Sequence, residues 1–204
     1  MENTTVMMRT EELGIAIDKD FILNNVICCT ESREAYESGR KDYEILEKLD
    51  LIMYFRVIID EEKSFKITKG IMEGFGITLQ VVSAAAFKNA RAKIHIQNLG
   101  EFFTGFEDPH LPDILTSKNR MWGGGAICFT DVFKGLCEKH NADHCYILPS
   151  SIHELLIQYP IPDSDSKEIF DNMVKQVNAT VLQPEDILAD HCYRFDVATN
   201  EITF

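Results

Sequence analysis

The run Leu51–Ile59, nine residues rich in β-formers and interrupted only by Arg56, stops on the charged string Asp60-Glu61-Glu62-Lys63, after which apolar residues resume through Ser64–Ile71. A short run of this kind, bounded by a polar turn, folds back as a hairpin, so the spacing predicts antiparallel pairing in the N-terminal half. The next segment is helical in pattern. Gly74-Phe75-Gly76-Ile77 reads as a loop, and Thr78 is placed to accept a hydrogen bond from the free amides of a helix through Val81, Ala85 and Ala90.

Short strands and single helices alternate on both sides of this segment. Upstream, residues 1–19 read as a lightly tied terminus and Phe21–Leu23 with Val26–Cys29 as an extended segment. Glu31–Leu49 reads as a helix through Tyr36, Tyr43, Leu46 and Leu49 that Gly39 can break. Downstream, Ile114–Thr116 and Met121–Phe129 read as a second hairpin, Asp131–Asn141 as an amphipathic helix and Cys145–Leu148 as a buried strand. Ile152–Ile157 fits a helical turn or a strand. Ser166 can cap a helix over Lys167–Val177, Pro184 can open a short helix, and Tyr193–Asp196 with Glu201–Phe204 fits a closing hairpin. The expected class is α+β, with mixed or antiparallel sheets, hairpins and packed helices in two closely associated halves. Gly105, Pro109 and Pro112 stand among acidic residues and place the boundary between an N-terminal half, 1–108, and a C-terminal half, 109–204.

Charge narrows the partners. Lys and Arg number 20 against 33 Asp and Glu, a net −13, so the field of the whole chain repels phosphate backbones and anionic lipid surfaces. Generic nucleic-acid binding is disfavoured, and a protein or small-molecule partner is the expectation. The charge is uneven: residues 51–100 carry +3 and residues 151–204 carry −7, so the middle is a basic island that could meet an anion or the acidic tail of its own fold. The N-terminus lacks the basic start and apolar run of a secretory signal, and no apolar stretch is long enough for a membrane span. The six cysteines show no CxxC and lie mostly in apolar runs, which suits reduced, buried thiols and a cytoplasmic setting.

The densest polar cluster in an apolar context is Pro149-Ser150-Ser151-Ile152-His153-Glu154. Hydroxyl, imidazole and carboxylate together are the inventory of nucleophilic or acid–base catalysis, which makes Ser150, Ser151, His153 and Glu154 the catalytic candidates. The segment lacks the GxSxG elbow, and sequence neighbours rarely converge as a triad. An architectural reading has a serine capping the next turn, Glu154 closing a capping box and His153 bonding locally. Cys137, His140, His144 and Cys145 have the residue types of a zinc site, but the two cysteines fall where the pattern wants core, so neither a metal nor a cofactor is expected. Trp122-Gly123-Gly124-Gly125 lacks the Gly-Lys-Ser/Thr ending of a phosphate loop and reads as a bulge or a close backbone crossing within a strand. The acidic pairs Glu107-Asp108, Asp163/Asp165 and Glu185-Asp186 lie in turns or at helix starts, where carboxylates stabilise free amides.

The strings Cys145–Leu156, Val177-Asn178-Ala179-Thr180 and Pro184–Asp196 resemble a bacterial family of unknown function whose members share a Tyr-Ile-Leu-Pro-Ser-Ser-Ile-His-Glu core and an Asp-His-x-Tyr-Arg ending. The resemblance covers residues 113–198 and extends more loosely to Tyr36, Gly39, Ile45 and Gly76-Ile77-Thr78. It implies a bacterial protein, shortened at its N-terminus relative to many members, and it carries no established activity. Three readings remain. The first is a non-enzymatic binding or interaction protein with a cleft near Ser150, Ser151, His153 and Arg194. The second is a hydrolase-like enzyme in which Asp190 or His191 meets the Ser150/Ser151/His153 segment. The third is an acidic anti-defence or mobile-element accessory protein whose carboxylates imitate nucleic acid.

Overall fold

The computed structural model describes residues 16–39, 42–61, 63–161 and 166–204. Most of the expected loose terminus, Glu62 of the charged turn and the pair Asp163/Asp165 lie outside these residues.

Phe21–Leu23 is helical rather than extended, because the Asp18 carboxylate accepts from the Phe21 amide at 2.7 Å and caps α1 (Lys19–Asn25). The chain then enters β1 (Val26–Ser32), which pairs antiparallel with β3 (Leu51–Ile58) from Val26↔Val57 to Ser32↔Leu51. The helix expected over Glu31–Leu49 shrinks to α2 (Arg33–Ser38), capped by Ser32 and ended at Gly39. Glu31 is taken by the β1 ladder, and Leu46, whose spacing mimicked a helix face, pairs with Met53 in β2 (Leu46–Lys48). Leu49 makes the turn from β2 to β3 at φ 58°. Beyond the charged turn the return strand, β4 (Ser64–Lys66), is shorter than expected, because Thr68 accepts from the Ile71 amide and starts α3 (Lys69–Gly74). Thr78 caps α4 (Leu79–Lys93) as its position predicts, accepting from Val81 at 3.3 Å. Asn89 holds α4 across the α1–β1 junction by donating to the carbonyls of Leu23 and Val26.

The second sheet is built from β5 (Ile94–Asn98), β6 (Asp113–Ser117), β7 (His144–Ser151), β8 (Glu154–Gln158), β9 (Tyr193–Asp196) and β10 (Glu201–Thr203). Its order is β10-β9-β7-β8-β6-β5, and every neighbouring pair is antiparallel. Helices α5 (Leu99–Thr104), α6 (Thr130–Lys139) and α7 (Lys167–Thr180) complete the α+β arrangement. A single hydrophobic cluster joins Cys28, Phe55 and Val57 of the first sheet to Leu115, Ile147, Leu155 and Phe195 of the second, with Ile127 and Phe133 among them. Both faces of β1 are buried, which is why its sequence is a continuous apolar run rather than an alternation. Among the described residues no helix is long and apolar enough to cross a membrane.

Met121–Phe129 is not a returning strand. Gly123–Cys128 forms a 3-10 helix wedged between the sheets, and the glycines permit it. A Cβ on Gly125 would lie 2.3 Å from the Cys28 carbonyl oxygen, and one on Gly123 2.4 Å from that of His153. The close backbone crossing is real, but it joins two sheets instead of kinking one strand.

Candidate functional site

The segment Ser150–Glu154 is the tip of the β7–β8 hairpin, with a register shift between Pro149 and Ser151. Its hydroxyls are used within the tip: Ser150 donates to Glu154 Oε1 at 3.0 Å, and Ser151 Oγ accepts from the His153 amide at 3.0 Å. Strand, rather than helical turn, is thus the conformation of Glu154–Gln158, and the expected capping box is replaced by this pair of contacts. The tip backbone faces the glycine run. The His153 carbonyl accepts from the Gly123 amide at 2.9 Å and from Thr116 Oγ1 at 2.8 Å, and the Ile152 carbonyl accepts from Gly124 at 3.0 Å.

The His153 ring extends this role. Its Nδ1 accepts from the Trp122 amide at 3.1 Å, which places the ring proton of the neutral imidazole on Nε2, 3.6 Å from Asp186 Oδ1. Burial holds the imidazole below its ordinary range, against the opposing pull of Asp186, so the neutral ring suits this acceptor role at pH 7. Trp122 needs the support, because its φ of 62° lies in the left-handed region that bulky side chains avoid. Its ring meets the His153 ring edge-on at 5.1 Å, and the Arg56 guanidinium stands 4.1 Å from its centroid. The His153 ring therefore bonds to a residue distant in sequence, while the His153 amide bonds locally to Ser151.

Trp122 and Thr116 both line a pocket of about 250 Å³ where the two sheets meet. Ile27, Ile58, Ile94 and Phe129 supply apolar wall, and Lys93, Ser117, Lys118 and Asn119 supply polar groups. Ser117 closes the loop at the rim, accepting from the Met121 amide at 3.1 Å and donating to the Met121 carbonyl at 2.6 Å. Arg120, at φ 57°, is the loop's other left-handed residue.

The remaining candidates lie elsewhere. His191 Nδ1 is 2.9 Å from Asp190 and its Nε2 is 3.5 Å from Asp50, whose other oxygen accepts from the Tyr193 hydroxyl at 2.7 Å. Arg194 pairs with Asp196 on its own strand at 3.3 Å. Among the described residues no hydrogen bond or ion pair joins Asp190, His191 or Arg194 to the hairpin tip. His140 stacks on Tyr159 at 3.8 Å with its Nε2 3.2 Å from Asp113, whereas His144 pairs with Asp143 at 2.6 Å. Among the described residues no group of three or more His, Cys, Asp or Glu is arranged to hold a metal ion.

Ser150 also lines a second concavity of about 410 Å³, between α7 and the outer face of the second sheet, with Leu148, Leu156, Phe170, Met173 and Val177. Asp171 anchors α7 there, binding Lys167 Nζ at 2.8 Å and accepting from the Cys192 amide at 2.8 Å. Burial works to raise the Asp171 carboxyl, but Lys167 and Cys192 outweigh it and hold the group below the usual aspartate range. Its contribution is complete above the ordinary value of 3.8 and fades as pH falls from there through the lower folded value. Asp171→Ala is expected to cost about 2 kcal/mol at neutral pH. The gap to wild type should close over that acid window in urea titrations run at successive pH values.

Nothing in the sequence singles out Thr116 or Lys93 as site residues, and it marks Trp122 only as the start of a bulge or close crossing. A lone tryptophan ahead of three glycines was the available signal, but its left-handed backbone and its bond to His153 are set by contacts across the fold.

The chain matches the model of a family described as "Family of unknown function (DUF5688)" over residues 40–197, and it belongs to that family. No curated protein matches the chain, and no solved structure does.

Proposed function

For this member of a family without an assigned activity, we propose a non-enzymatic binding protein that takes a small ligand in the pocket beside Trp122. The observation that carries the reading is the support given to the pocket's rim. At the hairpin tip the His153 ring bonds the amide of Trp122, which stands in an unfavourable left-handed backbone conformation in the wall of a concave, mainly apolar space. Strain of this kind persists only where surrounding contacts enforce it, and here they enforce the shape of a pocket wall. Residues from both 1–108 and 109–204 line the pocket, so a ligand there would touch both halves. The six free thiols fit a reducing cytosol, and we place the protein in the cytoplasm on that ground.

The pocket contains its own reporter, since Trp122 is the only tryptophan in the chain. Cyclohexylmethanol, cyclohexanecarboxylate and cyclohexylmethylamine do not absorb where tryptophan does and are small enough for the space. At least one of them is expected to shift Trp122 emission saturably and to raise the melting temperature. His153→Ala frees the Trp122 amide and is expected to weaken that binding by about tenfold while the far-ultraviolet circular dichroism stays unchanged. If none of the three compounds moves the emission, the binding reading is wrong.

A further inference from the structure

Building on the binding reading, we infer that the ligand of this pocket carries an anionic group, a carboxylate or a phosphate monoester, attached to an apolar body. The lining includes two lysines, Lys93 and Lys118, and no carboxylate. In a chain with 33 acidic and 20 basic residues this is an unusual local imbalance. Among the described residues neither lysine forms an ion pair, whereas Arg33, Lys66, Lys69, Arg91, Lys139, Lys167 and Arg194 all do.

Lys93 is partly buried, and burial alone lowers its pKa, with no neighbouring carboxylate to restore it. A cation that has lost water without gaining a counter-charge gains from an anion bound beside it. Trp122, Ile58 and Phe129 line the same pocket with apolar surface, so an inorganic anion would leave most of the space unfilled. Asn119 lines the same pocket, and its side-chain amide can donate to an oxyanion.

Lys93 also lies in the last turn of α4, where a cation favours the negative end of the helix. The test must therefore read ligand preference rather than stability. Cyclohexanecarboxylate, cyclohexyl phosphate and cyclohexylmethanol are titrated against wild type, Lys93→Gln and Lys118→Gln, with Trp122 emission as the signal. In wild type at least one of the two anions is expected to bind about tenfold more tightly than the alcohol, and whichever anion leads identifies the group. Lys93→Gln should remove that preference by weakening the anions about tenfold more than the alcohol, an effect that a helix-end role alone does not produce.

Equal binding of alcohol and anions to wild type overturns the inference and leaves the binding reading standing. So does a preference that survives both substitutions. Absence of any response to all three compounds overturns the inference together with the reading beneath it. The wild-type comparison needs no variant, so a poorly folded Lys93→Gln protein does not protect the idea.

Discussion

Gly125→Ala is expected to cost about 3 kcal/mol or more and to lower the melting temperature by roughly 10 °C. The added methyl group would sit 2.3 Å from the Cys28 carbonyl oxygen, 3.1 Å from its carbonyl carbon and 3.3 Å from the Cys29 Cα. All three are backbone atoms of the central part of β1, so no rotamer change relieves the contact. The 3-10 helix and the first sheet must separate, and the hydrophobic cluster shared by the two sheets opens with them. The backbone at Gly125 is not left-handed, so alanine meets no torsional penalty and the effect is purely one of space. Gly135→Ala in α6 is the matched control: nothing lies within 4 Å of its Cβ position, and better helix propensity should stabilise the fold by about 1 kcal/mol. Thermal melts of the two variants beside wild type decide the matter. Similar melting temperatures for both would mean that the seam yields easily and that the close crossing is not a constraint.

Asp113→Ala is the second severe substitution, at about 3–5 kcal/mol. The Asp113 side chain is 1% exposed at the start of β6. One of its oxygens accepts from Asn98 Nδ2 at 3.1 Å, and the other from the Tyr159 hydroxyl at 2.6 Å, with His140 Nε2 3.2 Å away. Removing the carboxylate takes an acceptor from two groups with little access to water, the Asn98 amide and the Tyr159 hydroxyl, and each unmet group carries a desolvation cost. Burial first, and then the bond to Asp113, hold the Tyr159 phenol well above its ordinary range, so Tyr159 is a donor at neutral pH. Urea unfolding at neutral pH should show a lower midpoint with an unchanged slope. Asp113→Asn, which keeps an acceptor for Tyr159, should recover part of the loss. If alanine were tolerated within about 1 kcal/mol, water would have to reach this cluster, and the network would not be the anchor of β6 that its burial implies.

How much of this was legible in the sequence depended on whether the cause lay nearby along the chain. Thr78 and its helix, the hairpin around Asp60–Lys63, the buried strand through Cys145–Leu148, the proline-opened turn at Pro184 and the closing hairpin all arise from residues a few positions apart. Capping, turn chemistry and periodicity act over that range, and here they agree with the fold. The segment Glu31–Leu49 failed because a helical spacing of Tyr36, Tyr43 and Leu46 says nothing about β3, whose unpaired edges recruit Glu31 on one side and Leu46 on the other. A ladder partner outweighed a local pattern.

The candidate site divides along the same line. That Ser150–Glu154 was the segment to watch came from composition alone, and so did the basic character of the middle of the chain. What the segment does could not be found there. His153 meets Trp122 across 31 positions, Thr116 meets His153 across 37, and Lys93 reaches the same pocket from the end of another helix. The sequence by itself determined an acidic α+β chain with antiparallel hairpins and marked its densest polar segment. Tertiary structure alone decided that this segment is a buttress and that the pocket lies beside it, because backbone groups pair with whichever partner the packed core brings within 3 Å, however far away it stands in the chain.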